Sequence, residues 1–574
     1  MKSFKNILSN APDFFRKKIV KYCLIIILSL LISSILYLFL YSRYPIYFTH
    51  VNWIYDKGGD PFQHQLGWEF FRNEPWHFPI GSIDSINYPF GSNLTFMDSI
   101  PLLAIPFKLI SPLLEQRFQY FGLWEFISIF MQFTIGICIL SEFTDSWITK
   151  ILGGVLLVFS PPMIWRAFGH SSLTAHWLIL LSIWMIIRTY RDKSVPRWIW
   201  PVIMSLSILI HIYLFAMLLP LWAVSQLFRY QKSKLIKPIL VDFFILVISS
   251  AIVAWGLGIF NLGDADLGKW GYGYYSWNAN GFFNPMSTSS IIEGISTGTN
   301  GQYEGYSYLG LGIILLLIIS FYILSQKNHL NADKRFIVPI SIISVLYIFF
   351  ALSNQIYLND KLIWGYQISD RWMELLSIFR SSGRFIWPVF YLVFLFPIIT
   401  IIKNTKKPAY LLLIALFIQT LDIQPLYTSR GISHFVEYHS PLVSEFWQEA
   451  GENNNSIILY PVDGPIINFY GPIAEYAQLN QMNINWVYSA RDDQKILEEF
   501  AEDKINELKS GNANSETLYI FYNDDGYQVL NNIPSDKAVI CDIDGYRIAL
   551  SIHNPVLNHN SDWLAECTES NSDS

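Results

Sequence analysis

A carboxylate follows the first long apolar run of the chain, in the stretch GGDPFQHQLGWEFFRNEPW, which is Gly58–Trp76. Asp60 and Pro61 are typical of the first turn of a helix, and Gln63 has the spacing of a capping box. We therefore expect an amphipathic helix at the membrane surface, with Asp60 at its N-terminal tip. There a carboxylate can accept a proton during catalysis. The alternative is that Asp60 only caps the helix.

Two arginines four residues apart occur in the segment FRSSGRFIWP, between two apolar runs. On a helix, Arg380 and Arg384 would share a face, and Gly383 would let backbone or a ligand approach closely. The planar guanidinium group matches phosphate oxygens, so the pair is a candidate phosphate site. The alternative is that these arginines pair with lipid headgroups or with nearby carboxylates. Those carboxylates are Asp360, Asp370 and Glu374.

The segment WRAFGHSSLTAHW places Arg166, His170 and His176 at the ends of two neighbouring apolar runs. Imidazole can bind a phosphate or transfer a proton near neutral pH, which makes these residues further candidates for donor-phosphate binding. A metal site has weak support in this segment, because it contains no HExxH motif and no cysteine partner. The alternative is that the histidines are interface residues with satisfied hydrogen bonds.

The long loop Asn261–Gly305 is rich in tryptophan and tyrosine, contains Asp264 and Asp266, and runs into the motif GQYEGYSYLGLG. Aromatic faces suit the C–H faces of sugars, so this loop is a candidate carbohydrate surface. The aromatic belt of any membrane protein would explain the same composition. Asp98 precedes a proline in a helix-start pattern, which favours a structural role. The candidate substrate contacts are His64, Trp68, Asp98, Tyr303 and Glu304.

Composition indicates a polytopic membrane protein. The 574 residues are 52 % hydrophobic and only 15 % charged, against roughly 25 % charged residues in an average soluble protein. No basic domain accompanies the net charge of −6, which argues against a nucleic-acid partner. Apolar runs long enough for membrane spans number about eleven, and they are Val20–Tyr41, Tyr120–Leu140, Lys150–Trp165, Leu173–Tyr190, Ile199–Tyr213, Leu214–Arg229, Pro238–Phe260, Tyr306–Leu324, Phe336–Leu352, Phe385–Ile402 and Ala409–Leu421.

The charges of the short loops predict the orientation of these spans. Lysine and arginine gather in four loops, which the positive-inside rule places in the cytoplasm together with the N-terminus. This topology requires the apolar region Ser99–Leu114 to stay outside as a re-entrant or surface helix. The hairpin Ile199–Arg229 is short for two full crossings. The four loops are Arg188–Arg197, Arg229–Lys237, Lys327–Arg335 and Lys403–Lys407.

The chain changes character after the last apolar run. Alternating apolar residues predict strands at Ser456–Tyr460, Glu516–Tyr522 and in the hairpin Ala538–Ile552, while Ser444–Ala450 and Asp493–Ser510 have helical patterns. We expect a cytoplasmic N-terminus at 1–19, a membrane domain at 20–424 with a large external loop at 42–119, an external α/β domain at 425–558 and a disordered tail at 559–574. If that domain is outside, Cys541 and Cys567 can form a disulfide.

The order of these motifs resembles the GT-C class of integral-membrane glycosyltransferases, and most closely an uncharacterised bacterial branch of it. The similar segments are GGDPFQHQLGWEFFRNEPW, NYPFGSNLTFMDSIPLLA, WRAFGHSSLTAHW, GQYEGYSYLGLG and FRSSGRFIWPVFYL. They extend over most of the membrane region, to about Asp422. The resemblance implies a multi-pass protein of the bacterial inner membrane, with its C-terminal domain outside the cytoplasm or in the periplasm.

The resemblance also implies an activity and roles for particular residues. The donor would be a sugar on a polyprenyl phosphate, and the acceptor would be a glycan, a lipid or a protein. Membrane lipid would be a further partner. Asp60 would act as the base, and Arg380 and Arg384 would hold the leaving phosphate. Arg166, His170 or His176 could take part in holding it. Transfer would invert the anomeric carbon. There is one strong acidic candidate in place of an adjacent acidic pair, so a divalent metal is left open and no cofactor is assigned.

Two other functions fit the same sequence. A transporter or flippase of lipid-linked sugars would have broken helices and paired repeats around a midplane site, and no clear inverted repeat is present. A non-catalytic protein of envelope assembly would use its C-terminal domain to bind partners. The transferase hypothesis requires that Asp60 and Arg384 face one pocket at the outer leaflet.

Overall fold

The computed structural model describes residues 13–260, 270–326, 333–462, 467–491, 493–559 and 561–568. Asp264 and Asp266, and most of the predicted basic loop at 327–335, lie outside these residues. The chain forms two compact units. One, called here the membrane unit, comprises the chain up to His50, Gln119–Ser249 and Gly268–Phe435. The other, the mixed unit, comprises Val51–Phe118, Ser250–Leu267 and the chain from Val436 onwards.

Long apolar helices dominate the chain, as composition predicts. Within the described residues, seven helices are long and apolar enough to cross a membrane. They are eight if the bent pair of helices Pro408–Asp422 and Gln424–Arg430 is one span. Three more apolar helices are shorter: Trp147–Val158, Ile199–Ile210 and Leu311–Ser325. The seven long helices are Cys23–Tyr41, Phe121–Leu140, Ser171–Tyr190, Ile212–Ser233, Lys237–Leu257, Lys334–Leu352 and Ser382–Asn404.

Three of the predicted spans end at other residues because local residues interrupt the helix. The predicted span Lys150–Trp165 stops at Val158, and a separate short helix Pro161–Arg166 follows. Proline is tolerated in the first turn of a helix, because the N–H groups there have no partner within the helix. Pro161 and Pro162 cannot continue the preceding helix, because proline has no N–H to donate to it. In the predicted hairpin, His211 is extended and its Nδ1 accepts the N–H of Tyr213. The helix after His211 therefore has 22 residues, and only the one before it is short.

The uncertain region Ser99–Leu114 is not a spanning helix. It forms a nine-residue helix, Pro101–Leu109, and a 3₁₀ turn, Ser111–Leu113. Nine residues rise only about 14 Å, which is half of the hydrocarbon thickness of roughly 30 Å. The region belongs to the mixed unit, and its length agrees with the predicted external or re-entrant helix.

The helix that carries Asp60 spans Gly59–Asn73 and follows the six-residue helix Asn52–Lys57. Gly58 and Gly59 both have positive φ, +60° and +55°, so the break between the two helices has a conformation that glycine adopts without strain. Every residue from Phe62 to Phe71 is buried. The helix is therefore enclosed on all sides, and the expected exposed polar face is absent from it.

The mixed unit also contains a six-stranded mixed sheet. Its strands are β1 (Ser456–Tyr460), β2 (Asn483–Ile484), β3 (Thr517–Phe521), β4 (Ala538–Ile543), β5 (Tyr546–Ser551) and β6 (Cys567–Thr568), in the order β6-β4-β5-β3-β1-β2. The central strands β1 and β3 are parallel and the β3–β5–β4–β6 part is antiparallel. The predicted strands and the predicted helices, observed as Glu445–Asn453 and Gln494–Ser510, are confirmed.

The first external segment packs against this sheet and its helices. Ile86 forms a parallel bridge with Ile484 of β2, and the N–H of Ile484 donates to the Ser85 carbonyl over 2.9 Å. The helix Ile467–Leu479 packs on the Gly59–Asn73 helix. A Cβ on Gly471 would lie 2.2 Å from the ring of Phe62. The two segments, far apart in sequence, therefore share one core.

Part of the expected disordered tail at 559–574 is structured, namely residues 561–568, while Asn560 and residues 569–574 lie outside the described residues. A 3₁₀ helix, Asp562–Glu566, precedes β6, and a disulfide joins Cys567 of β6 to Cys541 of β4. The indole N–H of Trp563 donates to Glu449 over 2.9 Å. A cross-link and a buried tryptophan hold this segment, which polar composition alone does not predict.

An exposed β-hairpin follows the Lys334–Leu352 span in the membrane unit. Its strands are Gln355–Leu358 and Lys361–Gly365, and all five residues of the second strand are exposed. An eight-residue helix, Asp370–Ser377, comes next and exposes Trp372. This part of the chain is the predicted external loop Ala351–Arg384.

Substituting Gly59→Ala should lower the free energy of unfolding by about 1–2 kcal/mol, the cost of the left-handed conformation for a residue with a Cβ. A Cβ at Gly59 would meet nothing within 4 Å, so no steric clash contributes. Gly256→Ala is the matched control, because the space there is equally open but the residue lies inside a helix and has no positive φ. It should be neutral or stabilising. Unfolding by SDS titration measures both, and equal effects would contradict the explanation.

Candidate functional site

A buried carboxylate between two arginines is the main polar feature of the membrane unit. Arg166 is the last residue of the short helix Pro161–Arg166, Glu304 lies in the 3₁₀ turn Asn300–Gly305, and Arg384 lies in the 3₁₀ turn Ser382–Ile386. Their exposed fractions are 2 %, 3 % and 6 %. Three segments that are distant in sequence thus bring their charges into one buried cluster, called here the arginine triad.

Glycine allows two of these turns to touch. A Cβ on Gly383 would lie 2.8 Å from the Cα of Gly305, and one on Gly305 would lie 3.3 Å from the Cα of Gly383. The N–H of Gly383 also donates to the Tyr275 carbonyl over 2.9 Å. The expected close approach at Gly383 is therefore made by backbone. It places Glu304, the neighbour of Gly305, beside Arg384, the neighbour of Gly383.

The hydrogen bonds of the arginine triad are short and well distributed. Arg384 binds the carboxylate of Glu304 with both ends of its fork, Nε to Oε2 over 2.7 Å and Nη2 to Oε1 over 2.9 Å. Nη2 of Arg166 donates to Oε2 over 2.6 Å and to the Glu304 carbonyl over 2.9 Å. Bidentate pairing of this kind fixes orientation as well as charge. Nε of Arg166 is buried without a hydrogen-bond partner among the described residues.

The arginine triad carries one more positive than negative charge. Burial by itself would raise the pKa of the Glu304 carboxyl, but Arg166 and Arg384 hold that pKa well below its usual range. His170 acts in the same direction. Because Glu304 is ionised and both guanidinium groups keep their charge, a net charge of about +1 is held in a desolvated place. Such a place favours an anion.

A further arginine, Arg430, adds to this positive region. Its guanidinium carbon lies 4.7 Å from the ring centroid of Trp165, and a Cβ on Gly169 would lie 3.2 Å from its Nη1. Arg430 was not predicted, because it follows the last apolar run, where we expected the external domain to begin. A basic residue just after an apolar run was the only available signal.

His176 has a different environment from the one expected. Its Nδ1 bonds to the hydroxyl of Tyr391 over 2.9 Å, and that hydroxyl also contacts Gln132 and Ser160. Its ring lies 4.4 Å from that of Trp387, which in turn faces Arg166 at 5.3 Å. His176 is therefore fully buried and bonded at Nδ1, while its Nε2 has no hydrogen-bond partner among the described residues, so it does not have the fully satisfied hydrogen bonds of the interface alternative.

Arg380 and Arg384 do not share a helical face, which corrects that expectation. The helix Asp370–Ser377 ends before Arg380, and Arg384 lies in the next 3₁₀ turn. Arg380 is half-buried against Gly271, whose φ is +100°. Glu304, predicted to contact substrate, is instead enclosed as the partner of two arginines. Its neighbour Tyr303 is exposed.

The remaining candidates lie in the mixed unit, so the predicted meeting of Asp60 with Arg384 stays a prediction. Asp60 is half-buried in the first turn of its helix, where the helix dipole stabilises a negatively charged side chain. The helix cap is Gly58, not Asp60, and makes no side-chain hydrogen bond. Burial of Trp68 and His64 leaves little surface for a substrate: the indole of Trp68 donates to the Phe118 carbonyl over 3.0 Å.

His64 and Asp98 are neighbours in the mixed unit. Nε2 of His64 lies 3.9 Å from a carboxylate oxygen of Asp98, and the hydroxyl of Ser99 donates to the His64 carbonyl over 2.8 Å. Asp98 has a positive φ of 54° and does not cap the helix that begins at Pro101. The helix-start pattern at Asp98 therefore does not make it the cap of that helix, and Asp98 instead faces a histidine of the Asp60 helix.

The mixed unit also has a buried carboxylate, Glu69, which was not predicted. Glu69 lies on the Asp60 helix and accepts hydrogen bonds from Tyr55 over 2.7 Å and from Gln65 over 2.8 Å. Glu475, bound by Arg117 over 2.7 Å, acts on it electrostatically. Burial is the main cause that raises the pKa of Glu69 to about 7. A charge inside the apolar segment LGWEFF was the signal that could have identified it.

Replacing Glu304 by glutamine should lower the free energy of unfolding by about 3–5 kcal/mol, because it leaves two guanidinium groups buried without their counter-ion. SDS or urea titration of the purified protein measures this loss. The matched control is Glu293→Gln, an exposed carboxylate of the same unit, which should change the free energy by less than about 0.5 kcal/mol. Similar losses in both variants would show that the arginine triad contributes no specific stability.

Glu69 should make the stability of the mixed unit depend on pH. Its native pKa of about 7 exceeds the ordinary value of 4.5, so the folded state binds more protons between these values. The free energy of unfolding should therefore fall as pH rises from about 4.5 to about 7, by roughly 3 kcal/mol in total. Thermal unfolding of the mixed unit across this pH range measures the effect.

Glu69→Gln should abolish this pH dependence, because the amide does not titrate. Glu115→Gln, at an exposed position of the same unit, should leave it intact. A pH profile that Glu69→Gln leaves unchanged would assign the effect to other groups.

Comparison with known families gives a match along most of the chain. Residues 30–424 match the family described as Domain of unknown function (DUF6311), and residues 446–551 match the DUF6311 C-terminal domain. No curated protein matches the chain. Since the first match alone extends over more than half of the 574 residues, this chain belongs to the DUF6311 family.

Proposed function

We propose that this protein is a GT-C-type glycosyltransferase of the bacterial inner membrane, which moves a sugar from a polyprenyl phosphate to a glycan, lipid or protein acceptor outside the cytoplasm. The observation that carries the proposal is the arginine triad, which holds a net positive charge where membrane helices begin and end. A lipid-linked donor presents its phosphate at that depth. The resemblance to GT-C segments supports the same reaction.

The charge of the arginine triad matches the change that such a donor undergoes. A sugar-bearing polyprenyl phosphate is a diester with one negative charge, and the departing polyprenyl phosphate carries up to two. The excess charge of about +1, with Arg430 and His170 beside it, offsets the charge that develops. The unpaired Nε of Arg166 gives a further donor, which costs about 1–3 kcal/mol while it is buried without a partner.

The reaction balances with one base. An acceptor hydroxyl oxygen forms a bond to the anomeric carbon, the bond from that carbon to the phosphate oxygen breaks, and its electron pair stays on the phosphate. The hydroxyl proton passes to Asp60, which accepts it as general base. Attack from the face opposite the leaving group inverts the anomeric carbon.

The topology proposed for this function uses all the apolar helices. The seven long helices, the bent pair and the three shorter ones would make eleven spans. The basic loops around Arg188–Arg197 and Lys403–Lys407 would lie in the cytoplasm. The C-terminal region would lie outside, which the disulfide between Cys541 and Cys567 supports, because disulfides persist in oxidising compartments.

Asp60→Asn should reduce sugar transfer at least 100-fold while the protein still folds, because general-base catalysis contributes about 10²–10⁴-fold. The donor is first identified by mass spectrometry of lipids that co-purify with the protein. Transfer is then assayed with that polyprenyl-phosphate sugar, with and without magnesium ions and a chelator.

Asp56→Asn is the matched control, since Asp56 is an exposed aspartate four residues earlier. It should keep full activity. Full activity of Asp60→Asn would remove Asp60 from the mechanism. Movement of the lipid-linked sugar across vesicles without any transfer product would instead favour the transporter.

A further inference from the structure

An apolar groove runs between the helices of the membrane unit, away from the arginine triad. Two adjoining cavities form it, of about 370 Å³ and about 430 Å³, and both are lined by Ile340, Leu392 and Phe396. Their walls come from the Lys334–Leu352 and Ser382–Asn404 spans and from neighbouring helices. The lining is mainly aliphatic and aromatic, so the groove suits a hydrocarbon chain.

One end of the groove carries two cations. Arg191 and Lys403 both line the first cavity. Their charged ends lie 4.4 Å and 5.3 Å from the centroid of the same ring, that of Phe143, so the two like charges are held close together. Lys403 makes no ion pair with any carboxylate that the structure describes.

The carboxylates near this end do not neutralise it. Glu142 is already bound by three cations: Arg188 at 3.4 Å, Arg191 at 3.7 Å and Lys193 at 2.5 Å. Asp333 accepts a hydrogen bond from the hydroxyl of Tyr190, which also lines the groove. Arg335 also acts on Asp333 electrostatically. Asp192, next to Arg191, is paired with Lys232 over 2.6 Å. Of the described residues named around this end, three carboxylates therefore face six cations, and the mouth of the groove keeps a positive excess.

An apolar groove with a positive mouth fits a molecule that has a chain and an anionic head. We propose that this groove binds an anionic phospholipid, with one acyl chain between the spans and its phosphate held by Arg191 and Lys403. A lysine or arginine at a membrane surface contributes about 1 kcal/mol to binding an anionic lipid. The selectivity for an anionic headgroup comes from the two cations at the mouth. The apolar walls accept an acyl chain whatever headgroup the lipid carries.

The test titrates the detergent-solubilised full chain with phosphatidylglycerol or phosphatidylcholine and counts bound lipid by native mass spectrometry. Phosphatidylglycerol should bind more tightly than phosphatidylcholine. Lys403→Gln should weaken phosphatidylglycerol binding about fivefold, which is what about 1 kcal/mol corresponds to. Leu392→Trp, which fills the place where the cavities join, should weaken the binding of both lipids.

Lys406→Gln is the matched control, because it removes the same charge from an exposed lysine that does not line the groove. It should change phosphatidylglycerol binding less than twofold. Equal binding of the two lipids, or equal effects of Lys403→Gln and Lys406→Gln, would overturn the proposal. So would tighter binding of a polyprenyl phosphate than of phosphatidylglycerol, or competition by inorganic phosphate alone. Unfolding temperatures of all three variants separate loss of binding from loss of structure.

Discussion

The ion pairing of one carboxylate with two guanidinium groups is the constraint that organises the membrane unit. Ionised groups in a desolvated place are tolerated only when each is paired and hydrogen-bonded. Arg166, Glu304 and Arg384 meet that condition with four short hydrogen bonds. The three chain segments that carry them must therefore keep a fixed register. The same cluster that ties these segments together leaves the charge excess on which the proposed phosphate binding depends.

One helix connects this cluster to the lipid groove. Arg384 lies just before the helix Trp387–Asn404, and Lys403 lies in its last turn. Nineteen residues at 1.5 Å each separate them by roughly 28 Å, which is close to the hydrocarbon thickness of a bilayer. The helix thus presents a buried cation at one end and an exposed one at the other. This spacing suits a span whose two ends bind anionic groups in opposite leaflets.

Much of the helical architecture could be predicted, because the length and hydrophobicity of each run are local properties of the sequence. The positions where helices break were harder to predict. Pro161 and Pro162 end one predicted span early, and His211 caps a helix that we expected to begin at Leu214. The strands of the C-terminal sheet followed from alternating apolar residues. The order of the strands, and the joining of Ile86 to Ile484, depend on contacts distant in sequence that no local pattern carries.

The candidate site was predictable only in its residue types. Arg166 and Arg384 were singled out for their charge, but their partner Glu304 was assigned to substrate contact because a lone sequence does not reveal burial. Glu69 was missed for the same reason, since burial and, to a smaller degree, the nearby Glu475 raise its pKa, although hydrogen bonds from Gln65 and Tyr55 lower it. Residue type predicts which groups can carry charge, whereas packing decides which of them are paired.

The contact between Gly305 and Gly383 gives steric changes an electrostatic outcome. Each glycine is adjacent in sequence to one member of an ion pair, and their backbones touch without any side chain between them. A methyl group added at either position would wedge the two turns apart and lengthen the bridge from Glu304 to Arg384. A variant that alters no ionisable residue would then lose stability in the way that an ion-pair mutant does, because it separates two buried charges and creates no cavity.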